Sequence, residues 1–309
     1  MRALVLRRLL TAIPTLLLVL LASFALMRFA PGGPFDGERP LAPETRAALE
    51  AAYGLNLPMG EQFALFLKRT LSGDFGPSLV YRDFTVTQLI ADSLPVSLTL
   101  GGLAIALALV LGLAAGMVAA LRPGGWADET LMLAATIVTA LPSFVTGPLL
   151  ALIFGLWLGL LPVGGLGDGL LNAPQYWIMP VIALALPVAG AIAKLARAGL
   201  AAALAQEHIR TARARGLGTG AIVLRHALRP ALVPVVSYLG PAAAGLLTGA
   251  VVIETVCALP GLGRYFVQGA LNRDYPLIMA VILLYAALII VFNLIADLLY
   301  GWLDPRSRS

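Results

Sequence analysis

The sequence predicts an all-α membrane protein with six transmembrane helices and a polar outer loop after the first helix. Three observations predict it. Of 309 residues, 60% are hydrophobic and only 12% are charged, with a mean hydropathy of +0.91. A soluble domain carries about 25% charged residues, so an ordinary cytosolic or secreted globule is excluded. Gly 32 and Pro 21 fall short of the disordered and collagenous classes. The second observation is the spacing of charge, and the third is the distribution of Lys and Arg between the connecting loops.

A bilayer-spanning helix needs about 20 mainly apolar residues and tolerates few charges. Charge-free runs of 18 or more occur six times: Leu9 to Met27, Ser93 to Leu121, Thr130 to Gly167, Gly169 to Ala193, Pro230 to Ile253 and Tyr275 to Ala296. The first contains eleven Leu, Ile, Val or Phe, together worth roughly −5 kcal/mol of insertion free energy before polar residues are subtracted. Arg2, Arg7 and Arg8 precede it in the manner of a secretion signal. The run exceeds the usual apolar length of such a signal, however, and no convincing small-x-small cleavage site follows. It reads as a retained helix.

Pro31 to Leu94 forms the outer segment, opened by Pro31-Gly32-Gly33-Pro34. Helical stretches are expected around Glu44 to Tyr53 and Glu61 to Leu71, the second placing Phe63, Phe66 and Leu67 on one side. Eight acids against five bases exclude a basic nucleic-acid surface. A bland cap and a docking platform for an outside partner both fit this segment.

The run Thr130 to Gly167 is 38 residues long, too long for one simple span and too short for two helices with a turn. Trp favours the membrane boundary, and Trp126, Trp157, Trp177 and Trp302 lie near the run edges. The third span is therefore expected to end near Trp157. A Gly-rich outer loop, Val163 to Gly169, then leads to a fourth span starting near Trp177.

Lys and Arg stay preferentially on the cytoplasmic side. With the N-terminus inside, 13 of 21 basic residues are inner. Six of the outer eight lie in or beside the long outer segment, where the rule weakens, and only Arg264 and Arg273 occupy a short outer loop. Both termini are thus expected inside. The division that follows is 1–29 for the cytoplasmic N-terminus and first helix, 30–94 for the extracytoplasmic segment, 95–302 for the core of helices two to six, and 303–309 for a cytoplasmic tail. The core contains an inner loop at 195–229.

That inner loop is the most informative stretch. Gly199 to Arg215 reads as a helix closed by Gly216, which suits the left-handed cap position, and Gly220 to Arg229 reads as a second. Arg210 and Arg213 fall one turn apart on the first, Arg225 and Arg229 on the second. A patch beside anionic lipid would account for the charge. It does not require an ordered helix-Gly-helix, which looks built to touch a partner.

IRTARARGLGTGAIVLRHALRPAL (Ile209 to Leu232) resembles the cytoplasmic loop of bacterial ABC importer permeases. The general pattern there is Glu-Ala-Ala, three residues, Gly, nine residues, then Ile-x-Leu-Pro. Arg210-Thr211-Ala212 stands at the Glu-Ala-Ala place, Gly216 at the Gly, and His226 to Arg229 at the tail, with Pro230 one residue late. These departures are those of the peptide-importing branch. RRLLTAIPTLL (Arg7 to Leu17), MRFAPGGPFDGER (Met27 to Arg39), SGDFGPS (Ser72 to Ser78), ETVCALPGLGRYFVQGALNRDYPL (Glu254 to Leu277) and DPR (Asp304 to Arg306) are similar to the first, B-type membrane subunit of oligopeptide permeases. Six such motifs in order run along the whole chain.

The resemblance implies a type I ABC importer permease fold in the bacterial inner (cytoplasmic) membrane, importing oligopeptides by alternating access. It implies a homologous second permease, two ABC ATPase subunits and an extracytoplasmic peptide-binding protein as partners, beside membrane lipid. A short coupling helix would enter a cleft on the ATPase. By that likeness it falls at Glu207 to Leu217: Arg210, Arg213 and Arg215 reach acidic or carbonyl groups, Thr211 lies between them, Ala212 and Ala214 permit close approach, and Gly216 sets the bend. Glu254, Pro260, Gly261 and Arg264 are outer-loop or gate candidates.

The residues support the same division of labour independently. The only lysines, Lys68 and Lys194, follow Leu67 and Ala193, so the chain has no Gly-x-x-x-x-Gly-Lys-Ser/Thr phosphate loop. No cofactor is expected on it, and ATP with Mg would sit on the partner ATPases. Neither Gly-x-Ser-x-Gly nor His-Glu-x-x-His occurs. His208 and His226 read as surface histidines, and Gly216-x-Gly218-x-Gly220 as a turn. Cys257, the sole cysteine, permits no intrachain disulfide and reads as a buried small residue. Asp297 is expected to pair with Arg7 or Arg8, and Pro142 and Pro234 to bend their helices around a cavity between subunits. Dipeptide, glutathione or nickel import remains the alternative within the family. A stand-alone secondary transporter, which normally shows buried coupling charges or broken-helix repeats, is a more distant one.

Overall fold

The computed structural model describes residues 2–29, 54, 56–81, 83–167, 169 and 172–303, with 44, 47 and 51 as isolated positions. The Pro31 to Pro34 turn and the terminal DPR lie outside those residues, as does the helix expected at Glu44 to Tyr53 apart from the isolated positions 44, 47 and 51. Every extended element described is a helix, and a single antiparallel bridge joins Pro77 to Thr85.

In chain order these are α1 (Arg2–Phe29), α2 (Met59–Leu71), α3 (Val86–Leu121), α4 (Trp126–Ala140) and α5 (Ser143–Leu150, wound wider over Ala151–Trp157). Then come α6 (Gln175–Leu204), α7 (Glu207–Ala214), α8 (the helical run 219–231), α9 (Val233–Val256), α10 (Leu262–Asn272) and α11 (Tyr275–Leu303). Five of them, α1, α3, α6, α9 and α11, are long and apolar enough to cross a membrane singly.

The third expected span differs. Leu141 is extended (φ −82°, ψ 118°) ahead of Pro142, as the residue before a proline prefers, and α4 and α5 meet at 99°. The pair supplies a sixth span only if counted as one broken crossing. Two ion pairs support that count. Arg8 reaches Asp297 at 2.6 Å, so the start of α1 lies beside the end of α11, as an even number of crossings requires. Asp128, at the start of α4, is 3% exposed and takes both Nε (2.5 Å) and Nη2 (2.6 Å) of Arg197 near the end of α6. Those two ends share a membrane face only if α4 and α5 together traverse it.

Packing explains why so uncharged a chain adopts one arrangement. With lipid as apolar as Leu, spans associate through close approach at small residues. A Cβ at Gly112 would stand 2.7 Å from the Ala189 carbonyl oxygen, and one at Gly116 2.7 Å from the Ala196 Cβ, so α3 and α6 touch backbone to backbone. Leu100, Ala104, Ala108, Ala185, Ile192 and Ala196 complete that core. Trp126, Trp157 and Trp302 are exposed at their helix margins, whereas Trp177, the third residue of α6 and so at the expected start of the fourth span, is 5% exposed and packs into the core. Pro234 stands in the first turn of α9 and starts that helix without bending it.

Candidate functional site

Two regions carry polar groups at the ends of the bundle. The first hangs from the end of α6. The helix expected from Gly199 to Arg215 is two helices: α6 runs on to Leu204, Gly199 lies against the Ala231 backbone, and the chain breaks at Ala205-Gln206 before α7. Ile209 (0% exposed) and Ala212 (7%) turn α7 onto Leu200, Ala203, Ile222, Ala227 and Ala231. Ala212 is thus committed to the chain's own core and offers no approach to another molecule. Glu207, His208, Arg210, Thr211, Arg213, Ala214, Arg215 and Leu217 are exposed. Arg210 holds Glu207 at 3.0 Å across the surface, a contact worth less than about 1 kcal/mol. Gly216 closes α7 at φ +81°, donating to the Arg213 carbonyl at 2.9 Å. The result is a short basic helix standing off the bundle on an apolar foot.

α8 follows with Arg225 and His226 exposed. Arg229 does not join Arg225 in a shared charged face. It donates to the carbonyls of Leu303 (3.1 Å) and Trp302 (2.9 Å) and lies 5.9 Å from the Trp302 ring centroid. That side chain caps the C-terminus of α11, where a cation is favoured. It also places the inner loop on the same face as the ends of α1 and α11.

The second region is at the opposite end. Glu254, in the last turn of α9, is fully buried and accepts from the Gly263 N–H at 2.7 Å. Gly261 is buried against the Glu254 carboxylate, Pro260 is half-buried and Arg264 is exposed. The structure therefore brings Glu254 and Gly261 together, with Arg264 pointing away. The Gly-rich loop touches the same corner through Gly165 N–H and the Cys257 carbonyl at 2.8 Å. Burial pushes the Cys257 thiol up to about 11, so thiolate is scarce at neutral pH.

Sequence reasoning missed Asp274 and its partners. Fully buried ahead of α11, Asp274 accepts from the Ser78 hydroxyl and from the N–H groups of Val80 (3.3 Å) and Leu277 (3.4 Å). Tyr81 donates to Gln268 of α10 and meets the Tyr265 ring at 5.6 Å. Burial, with Tyr265 as a neighbour, raises the Tyr81 phenol above its ordinary value. The strap 72–85 is thereby fastened to α10 and α11. Ser78 lies in the SGDFGPS motif and Asp274 just before Tyr275-Pro276-Leu277, so the motifs flagged both places without indicating their contact.

Two hollows complete the picture. One of about 100 Å³ lies between α1, α2, the strap and α11, with Phe24, Phe66 and Phe75 in its wall. The other, about 580 Å³, is an apolar groove between α3 and α6 lined by Leu103, Leu107, Val110, Trp177, Ile178 and Val181. The first is too small for a drug-sized ligand, whose sites run from about 300 Å³ upward, and the second is open-sided.

A helical bundle with a broken third span, a basic helix offered on one face and a braced segment on the other defines a multi-pass transport subunit of the membrane. Residues 112–309 match the family model described as binding-protein-dependent transport system inner membrane component, and the chain belongs to that family. It is 48% identical over 304 residues to the oligopeptide transport system permease protein OppB of Escherichia coli K12, covering 98% of both chains. Identity to OppB of Haemophilus influenzae is 47%, again over 98% of both, and to the dipeptide permease DppB of Bacillus subtilis 38%, over 95% of this chain and 94% of that one. Among solved structures, the MetNI methionine ABC transporter in an inward-facing form is similar with a TM-score of 0.59, at 18% identity, over 70% of this chain and 97% of that one. An amino acid ABC transporter is similar with a TM-score of 0.54, at 18% identity, over 70% and 94%. The fold is that of type I ABC importer permeases, and the chain is a multi-pass inner membrane protein.

Proposed function

We propose that this chain is the membrane-spanning subunit of an ATP-driven importer of oligopeptides. The observation that carries the reading is the 47–48% identity to oligopeptide permeases along the whole chain, against 38% to a dipeptide permease. Dipeptide, glutathione or nickel import is the weaker reading for that reason. A peptide presents many backbone groups and variable side chains, which suits a wide pathway with few fixed polar contacts. The pathway then forms between this chain and a homologous second permease. Selectivity then rests mainly with an extracytoplasmic binding protein.

α7 is the coupling helix in this reading. Its apolar foot makes it move with the ends of α3 and α6, while Glu207, Arg210, Thr211, Arg213, Ala214 and Arg215 are free to meet an ATPase cleft. Arg213 and Arg215 meet acidic or carbonyl groups there, and Arg210 does so once it leaves Glu207. Gly216 and Leu217 turn the chain back into α8. ATP and Mg are bound by two partner ATPases, and this chain acts as the passive gate. Both termini and the 195–229 loop are cytoplasmic; 30–94 faces outward.

The test is uptake of labelled oligopeptides by cells carrying the complete set of subunits. Arg210→Glu with Arg213→Glu is expected to lower uptake at least tenfold while membrane insertion stays at the wild-type level. Full uptake by that double variant overturns the coupling assignment. Vectorial peptide flow through the purified chain alone in proteoliposomes would favour a stand-alone transporter instead.

A further inference from the structure

Two acidic side chains are completely buried among the described residues, Glu254 and Asp274. They stand at opposite ends of α10, and the coupling mechanism above uses neither. The first turn of α10 has no cap of its own, because its N-cap is Gly261. Side chains from two other helices take that role. The Ser97 hydroxyl of α3 accepts from the Leu262 N–H at 2.9 Å. The Glu254 carboxylate of α9 accepts from the Gly263 N–H at 2.7 Å. The first two N–H groups of α10 thus meet a buried hydroxyl and a buried carboxylate, where charge-assisted bonding and the helix dipole act together. Only glycine leaves room for this. A Cβ at Gly261 would overlap the carboxylate, and one at Gly263 would stand 2.9 Å from Glu254 Oε2. The other carboxylate oxygen, Oε1, and the nearby Tyr285 hydroxyl are buried with no hydrogen-bond partner, so the cluster is not closed.

At the far end of α10, Asp274 and Tyr81 fasten the strap 72–85. α10 is therefore a strut with α3 and α9 joined at one end and the outer segment at the other. We infer that Glu254 and Ser97 are positioning residues for transport, welding α10 to α3 and α9 so that the outer segment moves with those spans when the outer end of the bundle opens. The inference rests on the importer reading for its direction of movement, and on hydrogen-bond geometry for the weld itself.

The experiment uses the complete complex in lipid nanodiscs and proteoliposomes. Spin labels go on Leu271→Cys of α10 (78% exposed) and Leu103→Cys of α3 (43% exposed), with Cys257 too buried to label. Glu254→Ala and Ser97→Ala are each expected to widen the label-to-label distance distribution at least twofold. Glu254→Gln, which keeps an acceptor oxygen and the shape, is expected to leave it within the wild-type width. In transport, Glu254→Ala should hydrolyse ATP within twofold of wild type while peptide moved per ATP falls at least tenfold, and Glu254→Gln should recover that ratio to within threefold. If Glu254→Ala fails to assemble, Ser97→Ala carries both measurements. Unchanged distance distributions in the alanine variants overturn the weld, as does loss of assembled complex with an unchanged peptide-to-ATP ratio. A wild-type complex that moves no oligopeptide refutes the substrate reading instead, and the distance measurement still decides the weld.

Discussion

Gly216 and Gly116 show how differently one residue type is used. At Gly216 the backbone has φ +81° and nothing lies within 4 Å of an added Cβ, so Gly216→Ala meets no clash and costs only left-handed strain, about 1–2 kcal/mol. The chain should still insert, with a lower thermal midpoint and weaker co-purification of ATPase subunits. At Gly116 an added Cβ would press on the Ala196 Cβ at 2.7 Å and on the Ala193 carbonyl. Gly116→Val should therefore separate α3 from α6 at a cost of roughly 1–3 kcal/mol, read as lost monodispersity in detergent. Tyr81 adds a pH signature. Folding favours its neutral phenol, because burial raises its pKa. The contribution of that hydroxyl is fully present below the unfolded value of about 10 and is lost as pH climbs beyond it. The difference in thermal midpoint between wild type and Tyr81→Phe should stay constant from pH 6 to 9 and shrink above 10. A difference that shrinks on acidification would show that another group governs the strap.

At the scale of the element, helix starts were less legible than helix existence. α3 begins at Val86, seven residues before the charge-free run opening at Ser93, because Asp92 on the exposed side of its second turn is tolerated near a helix end. A full capping box fixes the start: Thr85 Oγ1 accepts from Gln88 N–H at 3.2 Å, and Gln88 Oε1 accepts from Thr85 N–H at 2.9 Å. Thr85→Ala should cost about 1 kcal/mol, seen as a lower thermal midpoint without change in span count. The break after Leu141 was marked by Pro142, yet a proline in a span either bends or interrupts it, and composition does not decide which. The inner helix was legible as a motif and misjudged in extent. Gly199 suggested a helix start, whereas its real use is close approach to Ala231. The apolar foot formed by Ile209 and Ala212 depends on packing against Leu200 and Ile222, which spacing within the loop does not display.

Across the whole molecule, what stayed hidden is long in sequence separation. Arg197 meets Asp128 across 69 positions, and Ser78 meets Asp274 across 196; charge counting assigns such residues to loops without pairing them. Those same pairs now constrain topology. If α4 and α5 formed a re-entrant hairpin, α6 would run the other way and its Arg197 end would lie on the face opposite Asp128. The bidentate contact at 2.5 and 2.6 Å excludes this. Asp128→Asn and Arg197→Gln should each lower the thermal midpoint, with the double variant no worse than the more damaged single, since either change already breaks the contact. Reporter fusions then test the crossing count directly. Alkaline phosphatase joined within 158–167 should be active, while fusions within 122–125, within 215–218 and at the C-terminus should be inactive. An active C-terminal fusion would make the number of crossings odd, which the Arg8 to Asp297 contact at 2.6 Å does not allow for helices ending on one face.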